Sequence, residues 1–282
     1  MAYKDLLLPL VTYPEPPSAL AIETAAAFAA AISAKITAIS FAVDIVAPGN
    51  LLTDIFLNLP ALVAAEEKKS SDCAEQLLAS FRKAAEALAV FEGCKTERCL
   101  VADLRNAIAA HARLHDLIVL PVGKVDLTDQ WCAESVIFES GRPTLVVPNA
   151  PARQPAFQLA SVVVAFDFSR AAARALADSI PILKHAKRVT LLTVENEKAI
   201  GRRPSAAELK ASLARHHIDA EYVSLDAGGR KIGDVLTSYV EMHHADLLVM
   251  GAYGHSRMRE FVLGGATKSM VSQPPLPILL SH

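Results

Sequence analysis

The 282-residue chain carries one succession of elements twice, and this internal repeat narrows the folds open to it more than any other feature. Each copy opens on an apolar run, Leu6–Val11 and Ser161–Phe166. An alanine-rich helical stretch follows, over about Ser18–Ala31 and Ser169–His185, and then a second apolar run, Ile36–Phe41 and Val189–Val194. Later runs, Leu117–Pro121 and Leu247–Met250, each follow an aspartate, Asp116 and Asp246. The copies close on Pro-Thr-Leu-Val-Val-Pro at 143–148 and Pro-Ile-Leu-Leu at 277–280.

Near-continuous apolar strands separated by helices are what a parallel sheet covered on both faces requires, because neither strand face meets water. Right-handed crossovers then make each copy an open doubly wound sheet. The expected fold class is α/β: two Rossmann-like open parallel-sheet sandwich domains in tandem, over residues 1–148 and 158–282. The segment Pro148–Gln158, with three prolines, reads as their linker. Two equivalent sheets can cover their edges by pairing them, which would make the chain an internal pseudo-dimer. The middles differ. The first copy holds a long helical stretch between Pro48 and Val90, with Leu77, Leu78 and Phe81 on an apolar face. The second has a helix over Ser205–His217, a strand over Ala220–Leu225, and a helix near Lys231–His243.

Charge is divided unevenly between the copies. Residues 1–150 carry 12 Lys/Arg against 18 Asp/Glu, whereas residues 151–282 carry 16 against 12, so the second half suits an anionic small molecule. No basic stripe dense enough for a nucleic-acid duplex appears. The four cysteines, Cys73, Cys94, Cys99 and Cys132, match no zinc spacing and read as reduced thiols, although Cys94 and Cys99, placed on or beside one strand, leave a redox pair open with nothing to activate either sulfur. The N-terminus reads as a strand rather than a signal peptide, and no apolar stretch has the length of a membrane span. A cytoplasmic protein without a membrane partner is the expectation.

After Leu247–Met250 the chain reads Gly251-Ala-Tyr-Gly254-His255-Ser-Arg-Met-Arg, and then Gly264-Gly265-Ala266-Thr267. Ligands of open α/β sheets bind beyond the carboxyl ends of the strands, where this loop falls. Glycines permit close backbone approach, and amides at the start of the following helix can receive phosphate oxygens. The same glycines serve equally to make a sharp turn, and no Walker A order is present. Asp167, ending the first strand of the second copy, reads as a ligand for a base or sugar, or as a helix cap beside Ser169. Val194 ends the neighbouring strand, as an adenine contact or a core residue. Arg257 and Arg259 offer phosphate screening or a solvated face. His255 offers a hydrogen bond near phosphate. The pairs His216-His217 and His243-His244 suit helix carboxyl ends without a metal.

These residues together resemble the universal stress protein family, specifically its tandem two-domain members. The family's spacing of Gly, two residues, Gly, nine residues, Gly is matched by Gly251, Gly254 and Gly264. The resemblance implies an adenine-side carboxylate at Asp167, an adenine contact at Val194, backbone phosphate contacts along Gly264, Gly265 and Ala266, and binding places for Met250, directly before the glycine loop, and for Thr267. Gly265 departs from the family's usual Ser or Thr. The first copy departs further, with Val11 where the second has Asp167, and Gly123 alone surviving from the loop, beside Asp126 and Asp129.

The resemblance therefore implies a stress-response protein binding ATP or another adenine nucleotide in its second half, with Mg²⁺ accompanying the phosphates. No residue has the position of a general base, so catalysis is not expected. Two alternatives stay open: an interaction or scaffold protein with a protein partner or a homodimeric form, and a weak nucleotide hydrolase or transferase using His255.

Overall fold

A computed structural model describes residues 2–46, 59–123, 127–149, 157–195, 204–252 and 265–282. The first half runs β1 (Asp5–Val11), α1 (Ala19–Ala31), β2 (Lys35–Asp44), α2 (Leu59–Ala87), β3 (Phe91–Leu100), α3 (Leu104–Ala112), β4 (Leu117–Val122), α4 (Leu127–Glu139) and β5 (Thr144–Pro148). The second runs β6 (Ser161–Ala165), α5 (Arg170–Leu183), β7 (Arg188–Glu195), α6 (Ala206–Ala214), β8 (Glu221–Asp226), α7 (Ile232–Met242), β9 (Leu247–Gly251), α8 (Gly265–Ser272) and β10 (Ile278–Ser281).

All ten strands form one sheet, ordered β3-β2-β1-β4-β5-β10-β9-β6-β7-β8. Pairing is parallel within each half and antiparallel at the centre, where Leu279 of β10 stands opposite Leu145 of β5. The two expected sheets are thus halves of a single mixed one, joined by the edge pairing that the repeat suggests. One face carries a continuous core that crosses the seam, with Phe28, Phe81 and Leu6 in the same cluster as Leu176, Ile182 and Leu279. The opposite face has two clusters, one around Phe41, Ile108 and Val136 and one around Leu236, Met250 and Met270. Among the described residues no helix is long and apolar enough to cross a membrane.

Local chemistry sets the element ends. Ser18 and Ser169 cap α1 and α5 by accepting from Ala21 N and Ala172 N. Ser205 and Glu208 form a reciprocal capping box on α6. Four helices that precede strands end alike, on Ser33, Ala89, His217 and His244 at positive φ. In each, the next amide reaches back five residues, as Ala34 N does to Ala29 O and Ala245 N to Val240 O. His217 and His244 therefore turn the chain at helix ends, which extends the reading of the histidine pairs.

The aspartates before β4 and β9 have one repeated task. Asp116 Oδ2 accepts from Lys4 N at 2.9 Å and Asp5 N at 3.2 Å, and Asp246 Oδ2 accepts from Ala160 N at 3.0 Å and Ser161 N at 2.7 Å. Each fixes the start of a first strand against its neighbour. Between the halves, Tyr3 Oη donates to Asp178 O at 2.5 Å, and burial pushes this phenol above its ordinary range.

Strand β3 is the strand expected at Cys94 and Cys99, although its bounds, Phe91–Leu100, are not given by the sequence pattern. Cys94 and Cys99 both lie on it, paired with Ala38 and Val43. Five residues apart on a strand, they point to opposite faces, and all four cysteines are free thiols. Burial raises the Cys99 and Cys73 thiols above the usual range.

Candidate functional site

The carboxyl edge of the second half collects the ends of β6, β7 and β9, with the first turns of α5 and α8. Register makes the two halves comparable. Val162 stands against Leu247 and Val189 as Leu6 stands against Leu117 and Ile36. Five residues on, Asp167 matches Val11 and Val194 matches Phe41; Gly251 matches Pro121. Both halves tie their first two strands together here, through Thr193 Oγ1 to Phe166 O at 2.8 Å and Ser40 Oγ to Leu10 O at 3.4 Å.

Asp167 is exposed, and its Oδ1 accepts from Ser169 N at 2.9 Å. The helix is capped by Ser169, not by Asp167, so the carboxylate shapes the turn and stays at the surface. Phe168, beside it, takes φ 62° with its ring 5.0 Å from that of Phe166. Val194 is half-buried opposite Leu225, and Met250 is buried with its side chain in the core, so only its backbone faces the edge.

Gly251 has a packing reason of its own. A Cβ there would lie 2.5 Å from Ala171 C and 2.6 Å from Ala172 N, inside the first turn of α5. The glycine lets β9 end beneath that helix. Gly265 differs: it begins α8 exposed, and an added Cβ would meet nothing within 4 Å. Ala266 is half-buried and Thr267 buried in the first turn of α8. Further along α8, Lys268 faces Glu134 of α4, whose carboxyl is raised by burial and lowered in part by that lysine. Gly254, His255, Arg257, Arg259 and Gly264 lie outside the described residues. Among the described residues, no three His, Cys, Asp or Glu side chains are grouped to hold a metal ion.

The matching edge of the first half is filled. Ser70 of α2 is buried there, accepting from Val43 N at 2.9 Å and bonded to Thr12 Oγ1 at 2.6 Å. Thr12 in turn donates to Phe41 O at 2.8 Å, and Glu67 Oε1 accepts from Ile45 N at 3.0 Å. A polar chain from the long helix therefore saturates the strand ends beside Val11. Sequence reasoning missed Ser70, because a serine within a polar helix carries no periodic signal. Asp126 and the Asp129 side chain are outside the described residues.

An α/β protein with two copies of one doubly wound half is the class this geometry defines. Residues 160–282 match the model of the Universal stress protein family. A universal stress protein of Synechocystis sp. (strain ATCC 27184 / PCC 6803 / Kazusa) is 39% identical over 46 residues, which span 16% of this chain and 16% of that protein. The crystal structure of a universal stress protein from Archaeoglobus fulgidus DSM 4304 covers 100% of this chain and 99% of its own, with a TM-score of 0.66 at 16% identity. A functionally unknown protein from Pseudomonas aeruginosa PAO1 covers 99% and 92%, with a TM-score of 0.52 at 12% identity. The family match thus falls on the second half, and both halves together take the fold of these solved structures.

Proposed function

We propose that this chain is a cytoplasmic stress-response protein that holds one adenine nucleotide, ATP or a relative, at the open edge of its second half. The observation that carries the reading is the contrast between the edges. Among the described residues, one presents the exposed Asp167, the Val194 strand end and the exposed Gly265 that begins α8, while the other is saturated by Ser70 and Thr12. The charge balance of the halves agrees with an anionic ligand in the second. Asp167 would accept from the base or sugar, and the amides of Gly265, Ala266 and Thr267 would meet phosphate oxygens. Any Mg²⁺ would be held chiefly by those phosphates and water.

Native mass spectrometry of the intact chain with ATP, ADP or AMP tests this, the expected result being one nucleotide per chain. Asp167→Ala is expected to weaken binding roughly 10- to 100-fold, the equivalent of about 1.5–3 kcal/mol for a hydrogen bond to a charged group. Gly265→Ser, which places a hydroxyl where there is room for it, is expected to tighten binding severalfold. Two nucleotides per chain would overturn the asymmetric reading. An affinity weaker than cellular nucleotide levels favours the scaffold alternative, in which the filled first half and its 29-residue helix meet a protein partner. A hydrolase needs an acid or base at the phosphates, and unchanged turnover in His255→Ala removes the one residue offered for it.

A further inference from the structure

We propose that two copies of this chain associate through β3, antiparallel and edge to edge, about a two-fold axis that passes at Thr96. Strand β3 ends the sheet and pairs only β2 among the described residues. It is ten residues long, whereas β8 at the other end has six and begins and ends on acidic residues. A long unpaired edge is a template for another strand. Helix α2 packs on the sheet face beside it, with Arg82 Nη2 3.4 Å from Cys94 Sγ, along an open groove of about 890 Å³ lined by Leu78, Arg82, Cys94 and Thr96 among others, and among the described residues no element lies along the outer edge of β3.

Strand chemistry selects both the partner and the register. Backbone groups of successive residues point to opposite sides of a strand, so an antiparallel pair joins residues of equal parity, and the axis must fall on a residue. An axis at Lys95, Glu97 or Arg98 sets like charges face to face, which destabilises the pair. An axis at Cys94 opposes Lys95 to Gly93 and gives no ion pair. The Thr96 axis opposes threonine to threonine and Lys95 to the Glu97 of the second copy, twice. Glu97 already draws Lys95 Nζ to 3.4 Å and lies 2.6 Å from His111 Nε2, so each carboxylate would sit between two lysines, its own and that of the second copy.

The strand ends are complementary as well. Three exposed apolar side chains flank β3: Leu88 (46% exposed) before it, and Leu100 (39%) and Val101 (37%) at its far end. The Thr96 axis brings Phe91 opposite Val101 and sets the Leu88 end of one copy beside the Leu100 end of the other. Such an interface uses one patch against itself, as a closed dimer requires.

Sedimentation velocity on the full chain is expected to show a dimer that dissociates on dilution. Lys95→Glu, at an exposed position, puts carboxylates opposite one another and is expected to abolish it while leaving the circular dichroism spectrum unchanged. In a Cys94→Ser/Cys99→Ser background, Thr96→Cys should cross-link two chains under mild oxidation, because the Cα separation across an axis residue lies within disulfide range. Glu92→Cys in the same background should not, since it would face Leu100. A monomer at every concentration, a dimer indifferent to Lys95→Glu, or equal cross-linking of the two cysteine variants would each overturn the proposal.

Discussion

Replacing Gly251 with alanine is expected to destabilise the protein by about 3 kcal/mol, the upper end for overpacking. The added methyl would sit 2.5 Å from one backbone atom of α5 and 2.6 Å from the next. Backbone cannot rotate aside as a side chain can, so the helix must move bodily. Its cap on Ser169 and its contacts with β9 and β10 oppose that shift. Gly265→Ala is the matched control: with nothing within 4 Å, it is expected to change stability by less than about 0.5 kcal/mol. Urea unfolding of both variants checks the pair. Equal midpoints would show that Gly251 serves the loop and not the packing. The first half manages with Pro121 at this place because its chain takes a longer path into α1, whose Ser18 amide is held by Asn149 Oδ1 at 2.6 Å.

The second large effect is expected from Asp246→Ala, a loss of about 2–3 kcal/mol. Two amides at the start of β6, Ala160 N and Ser161 N, would lose one shared charged acceptor in a partly buried setting. Asp246→Asn, which keeps an acceptor oxygen, should recover much of that loss. Asp116→Ala should cost less, since one of its two bonds, to Lys4 N, is exposed and the other is longer at 3.2 Å. Chemical denaturation across these three variants, read for the order Asp246→Ala, Asp116→Ala, Asp246→Asn, decides whether the repeated aspartates clamp the strands unequally.

Much of this fold is legible in the chain because burial and pattern coincide. Leu6–Val11 and Leu247–Met250 are apolar on both faces and are buried on both. Ser18 and Ser169 announce their helices and cap them. The bounds of strand β3 escape reading for the converse reason: as an edge strand half-open on both faces, Phe91–Leu100 has no apolar run or clean alternation to display. At the candidate site, register bears out Val11 as the counterpart of Asp167, while the closing of the first edge depends on Ser70, brought from far along the chain. Gly251 was legible as a loop glycine, but the helix beneath which it passes is a tertiary contact that spacing alone does not contain.

The antiparallel pairing of β5 with β10 has a consequence for inheritance and stoichiometry. Two different half-sized chains would mix into three kinds of pair, matched and unmatched, in proportions set by their relative amounts. A seam closed inside one polypeptide admits one kind only. Every molecule made contains one half of each kind, whatever the expression level. Each copy can then accumulate changes that would be lost in a freely exchanging population, and the filled half is held beside the open one as a permanent companion.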